Sequence, residues 1–146
     1  MNLSDNQISD IKSLQKINFR EIEDLNLSYN KITDINILKN VNFCKLIRLN
    51  LSGNNITDIK GLEKVNFNQK LTLYLSFNKI SDISVLEKIN FMKLNKIDLC
   101  YNKITDITVL RKIDSNFIAK INLKNNNIDT NKNASLIEKL RLSGNI

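Results

Sequence analysis

The sequence contains no histidine and no proline, and it has only two cysteines and three glycines among its 146 residues. Catalytic and metal sites are built from clusters of His, Cys, Asp and Glu. The two cysteines, Cys44 and Cys100, lie far apart in sequence, and the carboxylates are scattered along the chain. The few glycines form no phosphate-binding loop. The sequence therefore predicts a protein that is not an enzyme and that has no cofactor and no metal site.

Long apolar runs are missing as well. Polar residues interrupt every apolar stretch well before the roughly 20 residues that a membrane helix needs. Residues 1–10 do not follow the basic, then apolar, then small-residue layout of a secretory signal. Two cysteines make no disulfide framework, which favours a reducing compartment. We therefore predict a cytoplasmic protein without a transmembrane segment; the alternative is a microbial protein secreted without a signal visible in this sequence.

The chain carries a net charge of +7 and has a pI of about 9.4. Lysine and arginine attract the phosphates of nucleic acids and of anionic lipids, so this excess opens an electrostatic binding role. The lysines are spread along the whole chain and form no run. A solvated basic surface is therefore favoured over a nucleic-acid site, and nucleic acid is not the expected partner.

An asparagine recurs every 24 residues along most of the chain. A leucine lies three residues before each asparagine and an isoleucine two residues after it, which gives the core motif Leu-x-Leu-x-x-Asn-x-Ile. The six asparagines are Asn6, Asn30, Asn54, Asn78, Asn102 and Asn126. Five of these units continue with an aspartate, at Asp10, Asp34, Asp58, Asp82 and Asp106. A fixed period of roughly 20–50 residues is typical of a solenoid, in which each repeat forms one coil.

Each coil is predicted to contain one strand and one short helical turn. Apolar and polar residues alternate over residues 25–28, as in a half-buried strand. Equivalent strands recur in the same sense, so they are predicted to pair in parallel. Residues 34–41 place apolar side chains at intervals of three, which suits a short α or 3₁₀ turn that begins at the capping Asp34. An aromatic column is assigned to packing between coils: Phe19, Phe43, Phe67 and Phe91.

The asparagine column is predicted to have a structural role. At the turn that leaves the strand, a buried carboxamide both donates to and accepts from backbone groups of its own coil and of the neighbouring coil. Those backbone groups would otherwise be left without partners. The six asparagines are therefore predicted to form a hydrogen-bonded ladder through the stack.

These residues resemble the leucine-rich-repeat superfamily over about residues 2–128. The form Leu-x-Leu-x-x-Asn-x-Ile-x-Asp-Ile-x-x-Leu is most similar to the short-repeat branch that includes phosphatase-regulating subunits and bacterial internalins, with two extra residues per unit. The resemblance implies an α/β fold: a right-handed solenoid of 24-residue repeats, with a parallel β-sheet on the concave side and short helices on the convex side. It also implies that a partner binds on the concave sheet, but it does not name the partner.

The chain is predicted to form a single domain, residues 1–146, of about six repeats. The last repeat becomes irregular from about residue 129, where the 24-residue spacing places Ala134 at the leucine position. A helix is expected from Ala134 to Leu140, and residues 140–145 resemble the start of a partial seventh strand. Both ends look like exposed edges. The two interpretations are that the chain is part of a longer array or that its ends associate with a neighbouring molecule.

Aromatic residues stand out among the small and polar residues of the sheet's solvent side. Such residues are enriched in interface hot spots, so we predict a partner-docking stripe with a basic rim. The stripe contains Tyr29, Tyr74, Phe77 and Tyr101, and the rim contains Arg48, Lys96, Lys120 and Lys124. The alternative role is structural, with the aromatic rings stacking along the sheet to shield its backbone.

Taken as a whole, the sequence predicts a protein–protein interaction module that binds a macromolecular partner through its concave sheet. One alternative is an electrostatic binder of nucleic acid or anionic membrane. Another is a structural or engineered repeat array without a specific partner. Phosphate binding would weaken steeply with added salt, whereas aromatic docking would not.

Overall fold

A computed structural model describes residues 1–65, 67–90, 93–118, 120–142 and 144–146, with only the backbone of residue 115. The described strands lie in one sheet in the order of the chain. They are β1 (Asp24–Asn26), β2 (Arg48–Asn50), β3 (Leu71–Tyr74), β4 (Leu94–Asp98) and β5 (Ile121–Asn122). All neighbours pair in parallel, as predicted, and an isolated bridge from Asn2 to Asn26 extends the sheet at its first edge.

The register repeats the sequence period. Leu25 lies opposite Leu49, and Leu49 lies opposite Leu73, so equivalent residues of successive coils are direct neighbours. The register shifts once, between Leu71 and Thr72. There Lys70 holds a position that is aliphatic in other coils, and the buried Leu71 one residue along fills the core instead.

The second half of each regular coil contains a 3₁₀ turn. The five turns are Lys12–Lys16, Asn36–Asn40, Lys60–Lys64, Ser84–Lys88 and Thr108–Lys112. A buried isoleucine occupies the residue just before each turn, and the aspartate one residue earlier accepts a hydrogen bond at 2.7–2.8 Å from the first N–H of the turn. The aspartate column therefore starts the turns by satisfying a backbone donor that the turn itself leaves unpaired.

The core is a continuous stack of aliphatic side chains between the sheet and the turns. Leu27, Leu51 and Leu75, for example, are completely buried. The aromatic column lines one side of this core: the rings of Phe19 and Phe43 lie 5.4 Å apart, and those of Phe43 and Phe67 lie 6.4 Å apart. Phe91, which we also assigned to this column, lies outside the described residues.

The C-terminal unit differs from the sequence-based prediction. Helix α1 (Ser115–Ile118) precedes β5, and helix α2 (Thr130–Leu142) is longer than expected at both ends. Leu140 thus belongs to a helix and does not begin a strand. Of the described residues after α2, Asn145 continues the sheet, since its carbonyl accepts a 2.7 Å hydrogen bond from Leu123 N.

The C-terminal unit differs because the 24-residue spacing is shortened by one residue there. Asp129 lies 23 residues after Asp106. Its carboxylate accepts hydrogen bonds from the backbone N–H groups of Asn131 and Lys132, in the first turn of α2. The buried position of the leucine column consequently falls on Asn133, which is fully buried, while Ala134 is exposed. The assignment of Ala134 to the leucine position was therefore wrong.

Asn133 gives a prediction about stability. Its Nδ2 donates to Asp129 O at 2.8 Å, but its buried Oδ1 has no hydrogen-bond partner. An unpaired buried polar atom costs about 1–3 kcal/mol. Replacing Asn133 with leucine, the residue of the other coils, should raise the free energy of unfolding by about 1 kcal/mol or more, measured by urea denaturation. The exposed Ala134→Leu serves as the control and should leave stability nearly unchanged.

Candidate functional site

The asparagine column lies at the end of the strands and links each coil to the preceding one. In the five coils from Asn30 onward, the side-chain Oδ1 accepts a hydrogen bond at 2.9–3.0 Å from an isoleucine N–H of the preceding coil. The Nδ2 group donates to backbone carbonyls of both coils; Asn54, for example, donates to Leu27 O at 3.0 Å and to Leu51 O at 3.1 Å. Asn30, Asn54 and Asn78 are buried, so these contacts hold the scaffold together and are not available to a partner.

A column of left-handed residues runs across the sheet one residue before the asparagines. Its members have φ between 52° and 67°, and they are Asp5, Tyr29, Gly53, Phe77, Tyr101 and Asn125. Glycine and, less readily, Asn and Asp tolerate this conformation, but bulky residues lose roughly 1–2 kcal/mol each in it. The backbone N–H groups of Tyr29, Phe77 and Tyr101 are bonded to the next coil at 2.8–3.1 Å, and these bonds help to fix the bend.

The left-handed column was not predicted from the sequence. Gly53, Asp5 and Asn125 were its only signal, because these residue types are the ones that fit a left-handed bend. The fold imposes the bend in every coil, but it does not require an aromatic side chain there. The three aromatic residues of the left-handed column therefore need another explanation.

The aromatic rings of the left-handed column are exposed. The rings of Tyr29 and Phe77 each contact the residue at the same position of the next coil. Tyr29 is 56% exposed, and its ring lies against Gly53, where an added Cβ would come within 2.6 Å of Cδ1. Phe77 and Tyr101 are each 48% exposed, and their rings stack with centroids 4.3 Å apart and planes 9° apart. Tyr74 lies in β3, in a different column, and is half-buried.

The four basic residues of the rim differ in their partners. Arg48 Nη1 lies 2.6 Å from Asp24 Oδ2, and the pKa of Arg48 is raised first by this hydrogen bond, then by the charge of Asp24, with smaller effects of Tyr74. Lys96 and Lys124 are exposed, and neither ammonium group forms a salt bridge with a described carboxylate. Lys120 Nζ lies 4.8 Å from the centre of the Phe117 ring.

Two further lysines adjoin the left-handed column. Lys79 and Lys103 follow Phe77 and Tyr101 by two residues, just beyond the asparagine column, and both are exposed. These two lysines were not predicted as part of the rim, because the predicted surface ended at the residue before each asparagine. Along the coil, the Phe77–Tyr101 pair is thus followed by the exposed Lys79 and Lys103, while Lys96, Lys120 and Lys124 lie at positions of the strand or directly beside it.

The described residues offer little for chemistry. Cys100 lies on the sheet surface near the aromatic pair, but its pKa is raised to about 11, first by burial and then by a hydrogen bond to Asp98. The thiol is therefore not an activated nucleophile. Among the residues that the structure describes, no three His, Cys, Asp or Glu side chains are grouped as metal ligands. None of the described helices has the length and hydrophobicity needed to cross a membrane.

Family models of leucine-rich repeats match this chain. One, which describes two copies of the repeat, matches residues 69–112, and another matches residues 22–35 and 44–64. These matches, the coil geometry and the likeness to solved structures place the chain in the leucine-rich-repeat superfamily, and its α/β fold is that of a leucine-rich-repeat solenoid. Members of this family are typically binding scaffolds without enzymatic activity. No curated protein sequence matches the chain significantly.

Solved structures of leucine-rich-repeat proteins are similar to this chain. A leucine-rich-repeat protein of Leptospira interrogans is 23% identical with a TM-score of 0.70; the match covers 97% of this chain and 35% of that one. Internalin C2 of Listeria monocytogenes is 28% identical with a TM-score of 0.54, and here the match covers 89% of this chain and 63% of the other. The chain thus spans about a third and somewhat under two thirds of the length of these proteins.

Proposed function

We propose that this chain is a protein-interaction module whose partner docks on the solvent-facing surface of the sheet. The observation that supports this proposal most is the stacked Phe77–Tyr101 pair, which is half-exposed and held on a left-handed backbone. Large aromatic side chains contribute much of the binding energy in protein interfaces. The fold requires the left-handed bend but not a bulky side chain there, and residues held in strained backbone conformations are common at ligand-binding positions.

The docking stripe in this proposal is narrower than the sequence suggested. Its centre is Phe77 and Tyr101, with Tyr29 at one end beyond Gly53. Tyr74 and Arg48 support the stripe, since Tyr74 is half-buried and Arg48 is paired with Asp24. Lys96, Lys120 and Lys124 form its charged border.

The structural alternative is that the rings only shield the sheet. A stacked aromatic pair adds about 0.5–1.5 kcal/mol, which is no more than the strain of two bulky left-handed residues. The stacking contact by itself therefore does not exceed this strain, which favours a role in binding. Both described cysteines are free, in keeping with the reducing, cytoplasmic compartment that we propose for the module.

Asparagine substitutions separate binding from stability. Asparagine tolerates the left-handed conformation, so the double variant Phe77→Asn/Tyr101→Asn should fold with an unchanged circular dichroism spectrum and a free energy of unfolding within about 1 kcal/mol of the parent. Its capture of proteins from a lysate of the source organism, quantified by mass spectrometry, should fall to background. The matched control is Asp5→Asn/Asn125→Asp, which changes the ends of the same column and should retain capture. Retained capture by the double aromatic variant would rule out the stripe.

A further inference from the structure

We infer that the C-terminal half of the sheet surface binds an acidic segment of a protein, whose apolar or aromatic side chain rests on the Phe77–Tyr101 pair while its carboxylates contact the surrounding lysines. This inference rests on the proposed function and adds the chemistry of the partner. It concerns β3 to β5 and the bends that follow these strands.

One row of residues across the sheet changes in charge from the first strand to the last. Asp24, Arg48, Thr72 and Lys96 occupy one row across the sheet, and the register of β4 with β5 continues that row to Lys120. At the start of the row an acid faces a base, and the two form a 2.6 Å salt bridge. At its end two lysines are neighbours on adjacent strands, an arrangement that destabilises a sheet.

The local acids do not neutralise these lysines. Elsewhere the coils pair an acid with a base of the next coil, as in Glu63–Lys88 and Glu87–Lys112. On the C-terminal half of the sheet the one strand carboxylate is that of Asp98, and its Oδ1 already accepts hydrogen bonds from Cys100 N and Asn122 Nδ2. Asp98 is therefore a single carboxylate beside Lys96, Lys120 and Lys124, none of which forms a salt bridge with a described carboxylate. Carboxylates of a partner supply the counter-charge that these lysines still lack.

The aromatic geometry favours a protein segment over single-stranded nucleic acid. Nucleic-acid binders offer open ring faces on which successive bases stack. Here the inner faces of Phe77 and Tyr101 are closed against each other at 4.3 Å. Separate side chains of a peptide, by contrast, can place an apolar group on the rings and acids beside the lysines.

The test uses a displayed library of random peptides selected against the whole chain in about 0.15 M salt. Selected peptides should be enriched in Asp and Glu around a Phe, Trp, Tyr or Leu. In Lys96→Asp the new carboxylate faces Lys120 as Asp24 faces Arg48. This variant should fold at least as stably as the parent and should bind the best selected peptide about tenfold more weakly, because a favourable charge becomes repulsive. The control Lys64→Asp changes the net charge equally on the exposed turn opposite the sheet and should keep parental affinity.

Each outcome separates this inference from the proposed function. Selected peptides that depend on Phe77 and Tyr101 but carry no acidic bias would overturn the acidic partner and leave the docking surface intact. Peptides that bind Phe77→Asn/Tyr101→Asn as well as the parent would overturn both. A 20-nucleotide single-stranded oligothymidine is the nucleic-acid probe. If it bound more tightly than the best peptide, and if added salt weakened its binding steeply, the inference would be overturned in favour of nucleic acid. An equal loss of affinity in Lys96→Asp and Lys64→Asp would mean that affinity depends only on the net charge of the chain. That result would also overturn the inference.

Discussion

Replacing Asn78 with alanine is expected to lower the free energy of unfolding by about 3 kcal/mol and the melting temperature by roughly 10 °C. Asn78 Oδ1 accepts the hydrogen bond of Ile56 N at 3.0 Å, and Nδ2 donates to Leu51 O and Leu75 O at 3.0 and 3.1 Å. The two carbonyls keep another asparagine as donor, but the buried Ile56 N–H keeps no acceptor. An orphaned buried donor is what makes the loss large. Thermal and urea denaturation followed by circular dichroism measure it.

Asn6 is the matched control for Asn78. It belongs to the same column, but it is exposed and donates only to Leu3 O and Ser4 O of its own coil. Asn6→Ala should therefore cost under about 1 kcal/mol. Equal effects of the two substitutions would contradict an inter-coil role of the asparagine, because that role exists only where a preceding coil supplies the Ile N–H.

Phe43→Ala is expected to have the largest effect of any substitution considered, a loss of about 3–5 kcal/mol in the free energy of unfolding. Phe43 is fully buried between the rings of Phe19 and Phe67, so its removal leaves a cavity that contacts three coils. Since a solenoid is stabilised through contacts between neighbours, the cavity weakens the stack on both sides. Urea denaturation should show a lower midpoint.

The control for Phe43→Ala is Phe43→Leu. Leucine keeps most of the buried apolar volume and should cost under about 1.5 kcal/mol. A loss in Phe43→Leu as large as that in Phe43→Ala would mean that the ring contacts, and not the filled volume, stabilise this part of the core.

The repeating part of the fold was predictable because one period fixes many residues at once. A leucine and an asparagine that recur every 24 residues define the coil, the parallel sheet and the inward-facing side chains together. The last repeat was not predictable by the same means. Between Asp106 and Asp129 the period loses one residue, and spacing alone does not reveal whether a loop or a helix absorbs the change; the structure assigns it to the start of α2 and moves the buried position to Asn133.

The candidate site was predictable only as a set of residue types. The pattern identified Tyr29, Phe77 and Tyr101 as aromatic residues on the solvent side of the sheet. It did not reveal their left-handed backbone, since φ follows from the bend between strand and turn and not from the side chain. Nor did it separate Lys96, which faces a second lysine, from Arg48, which faces an acid, because that distinction depends on which residues the register makes neighbours.

The direction of the asparagine contacts has a consequence for how this chain changes length. Each asparagine from Asn30 onward binds the coil before it through the same atoms at the same spacing. Excising whole periods, or inserting duplicates of them, therefore rejoins identical donors and acceptors. Removing a number of residues that is not a multiple of the period leaves the two sides of the junction mismatched. A gene encoding such an array can grow or shrink in units of 72 nucleotides, three for each of the 24 residues in a period, without redesign of the junction.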